Sequence, residues 1–379
     1  MKIAFFAARR IHQTYFQQVA EALIHSGHSA TVIWHKNLWA NPRWLLNTRT
    51  PPSRVLAAIV RDHVREKQNS SKGQKRPPQY WKKFRTLKRL ESRLLFYVYR
   101  HAIRRQRPDA IVIWNGLKFR QRIVKAAAES LGIRVFVMEN GLLPGMTTFD
   151  PVGVNFHNSV PRDSEFFRNI KSTDTSAQPS ALPNKPEGLP DHYVFIPFQV
   201  NTDSQVVLFS PWLQDMFALV AALRQAEASL GERMPDIVLK THPACDQNYD
   251  ELAAELASDS TRIRLLTSGD TAAIIANADA VATINSTVGI EAILAGKPAL
   301  VLGQAFYDLP GLTLHAKDQH SFEHSLAELT GFVPDVDIRK GLLHYLKNTY
   351  QIPGRWQDAA PEHIQLVADR IRQEGQGHG

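Results

Sequence analysis

The chain has 379 residues, a mass of 42.7 kDa and a formal net charge of +9. At about 150 residues per domain its length suggests two domains. Its 44% hydrophobic and 21% charged composition excludes a wholly disordered chain, and 20 glycines without a G-X-Y period exclude collagen. A single cysteine, Cys245, excludes an intramolecular disulfide framework and a multi-cysteine zinc site, and fits a reducing compartment.

The N-terminal run Met1 to Arg10 is too short for a signal-peptide core, and its arginines fall on the wrong side. No stretch approaches the ~18 apolar residues of a membrane span. The expected address is the cytoplasm. Residues 1–36 read strand, helix, strand, as a parallel α/β unit begins. No G-x-G-x-x-G follows the first strand, so a dinucleotide fingerprint is missing.

Residues 61–107 hold 16 Lys+Arg against 3 Asp+Glu, whereas the remainder holds 29 against 33. This one segment makes the protein basic. Lys67 to Pro78 is polar and contains Gly and Pro, which predicts a mobile loop. From Trp81 a helical pattern begins: Trp81, Phe84, Leu87, Leu90, Leu94, Leu95 and Val98 recur at three- and four-residue steps. The complementary face carries Lys82, Lys83, Arg85, Lys88, Arg89 and Arg93. Two readings stand side by side, a solvated basic face and contact with anionic lipid headgroups. Nucleic acid ranks last, because no zinc-finger, RRM or KH signature accompanies the patch.

Residues 109–116 and 133–141 are further strands, with a helix between them that stops near Gly132. Residues 1–141 therefore read as one doubly wound domain. The Pro/Ser-rich stretch 169–190 is the linker candidate. A second α/β series follows, and from Ser321 the chain is mostly helical. The expected domains are 1–180, with the basic helical insertion at about 61–107, and 190–345, followed by C-terminal helices and a tail over 346–379. Two doubly wound, Rossmann-like domains with a cleft between the carboxyl ends of their strands make a GT-B-like α/β fold. Fold alone does not establish an activity.

Polar groups cluster at five strand exits: Asn115-Gly116, Glu139-Asn140-Gly141, Gln199 to Asp203, Lys240 to Pro243, and Asn285 to Thr287. Ser286 is a natural N-cap, so the helix start behind it offers free N–H groups and a positive dipole end to an anion. Gly289 removes a side chain from that turn, which would allow close approach. Thr287 and Glu291 share a helical face, and Glu291 could accept from ribose hydroxyls. An ordinary capped helix with a surface Glu fits the same residues. Lys240, Thr241 and His242 supply a cation, a hydroxyl and an imidazole suited to a leaving phosphate. Glu139 and Asp203 form a carboxylate pair of the kind retaining glycosyl transfer uses, although spacing alone favours two unrelated loop acids.

Three blocks together resemble bacterial capsular-polysaccharide synthesis proteins, specifically the β-Kdo glycosyltransferases: 137–155, 194–205, and KTHP at 240–243 with 284–313. The resemblance covers about Val137 to Thr313. It implies a GT-B-like fold, CMP-Kdo as donor and transfer with retained β configuration through a covalent intermediate. It makes residues 1–180 the acceptor side and 190–345 the nucleotide-sugar side. Motif by motif, Asp203 falls at the nucleophile position and Glu139 at the acid/base position. Gln199, Lys240, His242, Ser286, Thr287, Gly289 and Glu291 fall on the donor side, and Asn140, Gly141, Asn155 and Tyr307 are acceptor-binding or supporting. Many relatives have Glu-Asp-Gly where this chain has Glu139-Asn140-Gly141, so the acid/base role rests on Glu139 alone. A CMP-sugar has one phosphate, and no Asp-x-Asp lies at a strand end of the nucleotide half, so no metal or other cofactor is expected. The implied partners are a nucleotide sugar and a lipid or lipid-linked glycan acceptor in capsule or lipopolysaccharide assembly. An anionic surface on the inner face of the cytoplasmic membrane joins them if the basic segment binds lipid. The rival readings are another nucleotide sugar, an epimerase, and a catalytically silent nucleotide-sugar binder.

Overall fold

The computed structural model describes residues 1–40, 50–171, 183–260 and 262–376. Half of the expected linker, 172–182, lies outside the described residues. The chain divides into two compact units. The first comprises Met1–Arg65, Arg76–Val160 and Lys347–Gly379, the second Glu66–Lys75 and Pro161–Leu346. The α/β class with two doubly wound, Rossmann-like units is the one the sequence predicts. No helix among the described residues is long and apolar enough to cross a membrane.

The first unit holds strands β1 (Lys2–Ala7), β2 (Ser29–Trp34), β3 (Ala110–Trp114), β4 (Arg134–Asn140) and β5 (Met146–Asp150). Its helices are α1 (Arg10–His25), most of α2 (Ser53–Gln68), α4 (Pro78–Gln106) and α5 (Phe119–Glu129); the four-residue α3 (Ser71–Gln74) belongs to the second unit. β3 reads Ala-Ile-Val-Ile-Trp and is buried along its whole length, as a parallel strand covered on both faces must be. The sheet order is β12-β5-β4-β3-β1-β2, where β12 (Gln351–Pro353) returns from the C-terminal segment. β12 pairs antiparallel with β5, and β5 antiparallel with β4; the other pairs are parallel.

The C-terminal stretch expected as separate helices and a tail is thus part of the first unit. Its last helix, α14 (Pro361–Gln376), sends Val367, Ala368 and Ile371 into the core shared with Tyr15, Phe16 and Val19 of α1. Polar contacts lock the return: Gln351 Nε2 donates to Thr148 Oγ1 at 3.2 Å, and Thr147 Oγ1 donates to Gly354 O at 2.8 Å.

The segment expected to be a mobile loop, Lys67 to Pro78, is ordered. Ser70 accepts from the Gly73 amide and starts α3, while Pro77 and Pro78 start α4. Asn69 Nδ2 donates to Asn201 O (3.2 Å) and Gln214 O (3.3 Å), and Ser71 Oγ donates to Asp246 Oδ2 (2.8 Å). Polar composition gave the loop reading; the polar groups are spent on tertiary partners in the second unit.

That unit continues with α6 (Ser164–Arg168), β6 (Val194–Pro197), α7 (Ser204–Phe209), α8 (Met216–Leu230), β7 (Ile237–Lys240), α9 (Asp250–Asp259) and β8 (Ile263–Leu266). It ends with α10 (Thr271–Asn277), β9 (Ala280–Thr283), α11 (Val288–Leu294), β10 (Ala299–Val301), β11 (Leu314–His315), α12 (Gln319–Glu328) and α13 (Val336–Tyr345). Its sheet is all parallel, in the order β11-β10-β9-β6-β7-β8. Aspartates start α7, α8, α10, α12 and α13, each accepting a first-turn N–H.

His12 of α1 is 3% exposed, stacked on Trp114 at 4.5 Å and edge-on to Trp356 at 5.4 Å. Burial, aided by the Arg9 charge, lowers its pKa to about 4. In the unfolded chain it titrates near 6.5, so between pH 6.5 and 4 the unfolded state binds the extra proton. Stability is then complete above pH 6.5 and falls as the pH drops to 4, by roughly 3 kcal/mol for this group. Urea unfolding followed by tryptophan fluorescence should show that loss, and His12→Phe should flatten it.

Candidate functional site

In the second sheet the chain order reverses at β6, which has β7 on one side and β9 on the other. The crevice outside the carboxyl ends at such a switch point is where open α/β sheets bind ligands. Gln199 leaves β6 and Asn285 leaves β9, and they meet there. Gln199 is 5% exposed; its Nε2 donates to Asn285 Oδ1 at 3.0 Å, and its Oε1 accepts the Asn285 amide at 3.1 Å. Asn285 Nδ2 donates in turn to Gln205 O and Phe209 O, both at 3.1 Å. Gln199 is therefore a bridge between strand ends that positions its neighbours, not a group presented to a ligand.

That bridge carries α7, which Asp203 starts. Asp203 Oδ1 accepts from the Gln205 amide at 3.0 Å and from Ser204 Oγ at 3.3 Å, whereas Oδ2 has no hydrogen bond among the described residues. One carboxylate oxygen is anchored and the other is available.

Lys240 closes β7, paired in register with Pro197 and Leu266. It is only 8% exposed, and its side chain has no hydrogen bond or ion pair among the described residues. Its aliphatic stem is packed away while its ammonium has no counter-charge, which an anionic ligand would supply. His242, two residues on, is exposed, and its Nδ1 accepts from the Ala244 amide at 3.0 Å. A neutral ring therefore carries its proton on Nε2, as a donor. Partial desolvation holds this imidazole below its ordinary range; Asp203 pulls it up and Lys240 pushes it down. Asp203, Lys240 and His242 thus share one electrostatic neighbourhood.

The start of α11 differs from expectation. Ser286 Oγ accepts from Val288 N–H at 3.2 Å, Gly289 N–H binds Ser286 O at 3.0 Å, and Ile290 and Glu291 N–H bind Thr287 O. Those amides are spoken for, so a row of free donors is not what the turn provides. Gly289 is required by Tyr307 rather than by a ligand: a Cβ there would lie 2.4 Å from the Tyr307 hydroxyl. Tyr307 is 2% exposed and donates to Ser286 O at 2.5 Å, which makes it a buried support for the turn. The Glu291 carboxylate keeps solvent access, has no hydrogen-bond partner among the described residues, and is pushed up by partial desolvation.

In the first unit, Glu139 and Asn140 end β4. Asn115, at positive φ beyond β3, donates from Nδ2 to Glu139 Oε2 at 2.5 Å, and Glu139 Oε1 accepts the Asn140 amide at 2.9 Å. Asn140 Oδ1 accepts from Trp356 Nε1 at 2.7 Å, so the C-terminal return supports this exit. Gly141 has no alternative, because a Cβ would meet Met146 O at 2.2 Å. Asn155, at φ +56°, shapes the turn after β5. That turn is organised by Asp150, a residue sequence reasoning gave no role. It is fully buried and accepts from the amides of Val152, Gly153 and Ser159, from Ser159 Oγ and from Tyr350 Oη. A pocket of about 540 Å³ at the exits of β1 and β2 was also unforeseen; it is lined by Arg9, Arg10, Gln13, Thr14, Trp34 and Lys36, among others.

Switch-point geometry and polar strand exits define a doubly wound α/β protein of the ligand-binding kind. The chain belongs to the capsule polysaccharide biosynthesis protein family, whose model matches residues 109–186 and 171–355. It is 34% identical over 255 residues to Protein FixF of Sinorhizobium fredii, spanning 65% of this chain and 61% of that protein. It is 24% identical over 304 residues to the capsule polysaccharide export protein KpsS of Escherichia coli, spanning 63% of this chain and 76% of KpsS. Among solved structures, Thermosulfurimonas dismutans KpsC, beta Kdo 2,4 transferase, aligns over 96% of this chain and 98% of its own at 14% identity and a TM-score of 0.47.

The charges around His242 make a signed prediction. In NMR titrations its midpoint should lie below 6.5, Asp203→Asn should move it lower, and Lys240→Met should move it higher.

Proposed function

We propose that the chain is a glycosyltransferase that moves Kdo from CMP-Kdo, with retention, onto a lipid or lipid-linked glycan in capsule or lipopolysaccharide assembly. The observation that carries this reading is Lys240, its stem buried and its ammonium without a counter-charge at the switch-point exits beside His242 and Asp203. Family membership and the likeness to a capsule polysaccharide export protein support the biological setting. The motif resemblance supports the donor.

In the proposed chemistry Lys240 and the His242 Nε2–H take the phosphate of CMP, and Glu291 accepts from the ribose. Asp203 Oδ2 attacks the anomeric carbon; the bond from that carbon to the phosphate oxygen breaks, and CMP leaves with the electron pair. The acceptor hydroxyl then attacks the same carbon and displaces the Asp203 carboxylate, while Glu139 takes the hydroxyl proton. Two inversions give retention. Ser286, Thr287 and Gly289 shape the donor turn, with Tyr307 and Gln199 behind it; Asn140, Gly141 and Asn155 support the Glu139 side. Arg9, Arg10 and Lys36 offer a basic pocket to an anionic acceptor. The single phosphate of the donor needs no chelated metal, so activity should survive EDTA. The proposed site of action is the cytoplasmic side of the membrane.

CMP-Kdo is the substrate to test. Asp203→Asn should keep CMP affinity and lose nearly all transfer. Wild-type protein without acceptor should show a Kdo adduct on Asp203 in intact-mass spectra. Lys240→Met should weaken CMP binding 10- to 100-fold, the scale of a charged hydrogen bond worth about 1.5–3 kcal/mol. Turnover of a different nucleotide sugar, or CMP binding without turnover, would replace this reading with one of its rivals. An α-configured product would remove the covalent step.

A further inference from the structure

Of the positions in α4 that the sequence assigns to the core, two are exposed. Leu87 and Leu90 are 55% and 58% exposed, while Trp81, Leu95 and Val98 are buried as expected. Tyr80, 40% exposed, Lys83, Leu87 and Leu90 follow one another at steps of three and four, so they form one stripe along the first half of the helix. Lys82, Arg85, Arg89 and Arg93 are exposed beside it. These four and Lys83 have no ion-pair partner among the described residues. Lys88 belongs to the opposite side: it pairs with Glu91 at 2.6 Å and lies over the rings of Phe84 and Phe119.

We propose that the exposed face of α4 docks on an anionic lipid bilayer, with Leu87 and Leu90 entering the acyl boundary and Lys82, Lys83, Arg85, Arg89 and Arg93 lying among the headgroups. A merely solvated basic face has no use for two leucines more than half exposed, and an apolar protein partner has no use for five unpaired cations around them. The combination of an apolar stripe with a cationic flank is what an interfacial helix presents to a negatively charged membrane. A nucleic-acid duplex would match the cations alone. The inference is independent of the donor chemistry, which lies in the second unit.

The test is sedimentation of the full chain with vesicles of phosphatidylcholine containing one-third phosphatidylglycerol, and with vesicles of phosphatidylcholine alone. Binding is expected to the anionic vesicles only, and to fall with added salt. Leu87→Ser/Leu90→Ser and Lys83→Glu/Arg89→Glu should each lower partitioning at least tenfold. All these residues are exposed, and unchanged circular dichroism with retained CMP binding by calorimetry would establish that the variants are folded. If the leucine variant partitions like the wild type, the attraction is non-specific electrostatics and the proposal fails. Equal binding to neutral vesicles, or tighter binding to a short duplex, also overturns it. So does a wild-type dimer that ignores vesicles and dissociates in the leucine variant, because the stripe would then be a contact between copies. Release of CMP from CMP-Kdo in the absence of vesicles tests the donor reading separately.

Discussion

The Gln199–Asn285 bridge is the constraint on which the second unit's candidate site depends. β6 and β9 are adjacent strands whose chains depart in different directions at the switch point, which leaves buried backbone groups at both exits. A reciprocal pair of amide side chains can satisfy both exits at once, because each carries donors and an acceptor. Gln199 uses both ends on Asn285, and Asn285 extends the network to the carbonyls of Gln205 and Phe209. The helix started by Asp203 is thereby fixed to the same exits, and only Oδ2 of that carboxylate remains uncommitted. An apolar pair in place of these amides would leave several buried groups unmatched, at about 1–3 kcal/mol each.

The first unit solves a related problem with chain that arrives about two hundred residues later. Its Glu139 exit is steadied by Asn115 from the neighbouring strand and, through Asn140, by Trp356. Asp150 gathers five donors, one of them from Tyr350, and so couples the turn containing Asn155 to the returning segment. Local turn chemistry and the distant C-terminal return are one structure here.

Much of this was legible in the amino-acid order. Ala110 to Trp114 and Ala280 to Thr283 are short apolar runs bounded by polar exits, which is all a buried parallel strand requires. The positions of Glu139, Gln199, Asp203, Lys240 and Asn285 followed from those exits. What the order concealed were tertiary partners. β12 is three residues long and shows no strand pattern; it exists because Thr147 and Thr148 accept it. Gly289 looked like space for a ligand because Tyr307, which fills that space, lies eighteen residues further on. Leu87 and Leu90 fit steps of three and four, but buried Trp81 precedes them and buried Leu95 follows, so they lie on the flank of the packed stripe, and step spacing cannot say how wide that stripe is. Lys240 could be placed at a strand end by pattern, yet its lack of a counter-charge is a property of the folded unit.

The central claim is that the switch-point exits of the second unit hold a nucleotide phosphate. Amide hydrogen exchange of the full chain with and without CMP tests it directly. Protection should appear over 199–207, 240–245 and 286–291 and stay unchanged at the exits of β1 and β2. Protection confined to the first unit, with no change at Lys240 or Asp203, would contradict it.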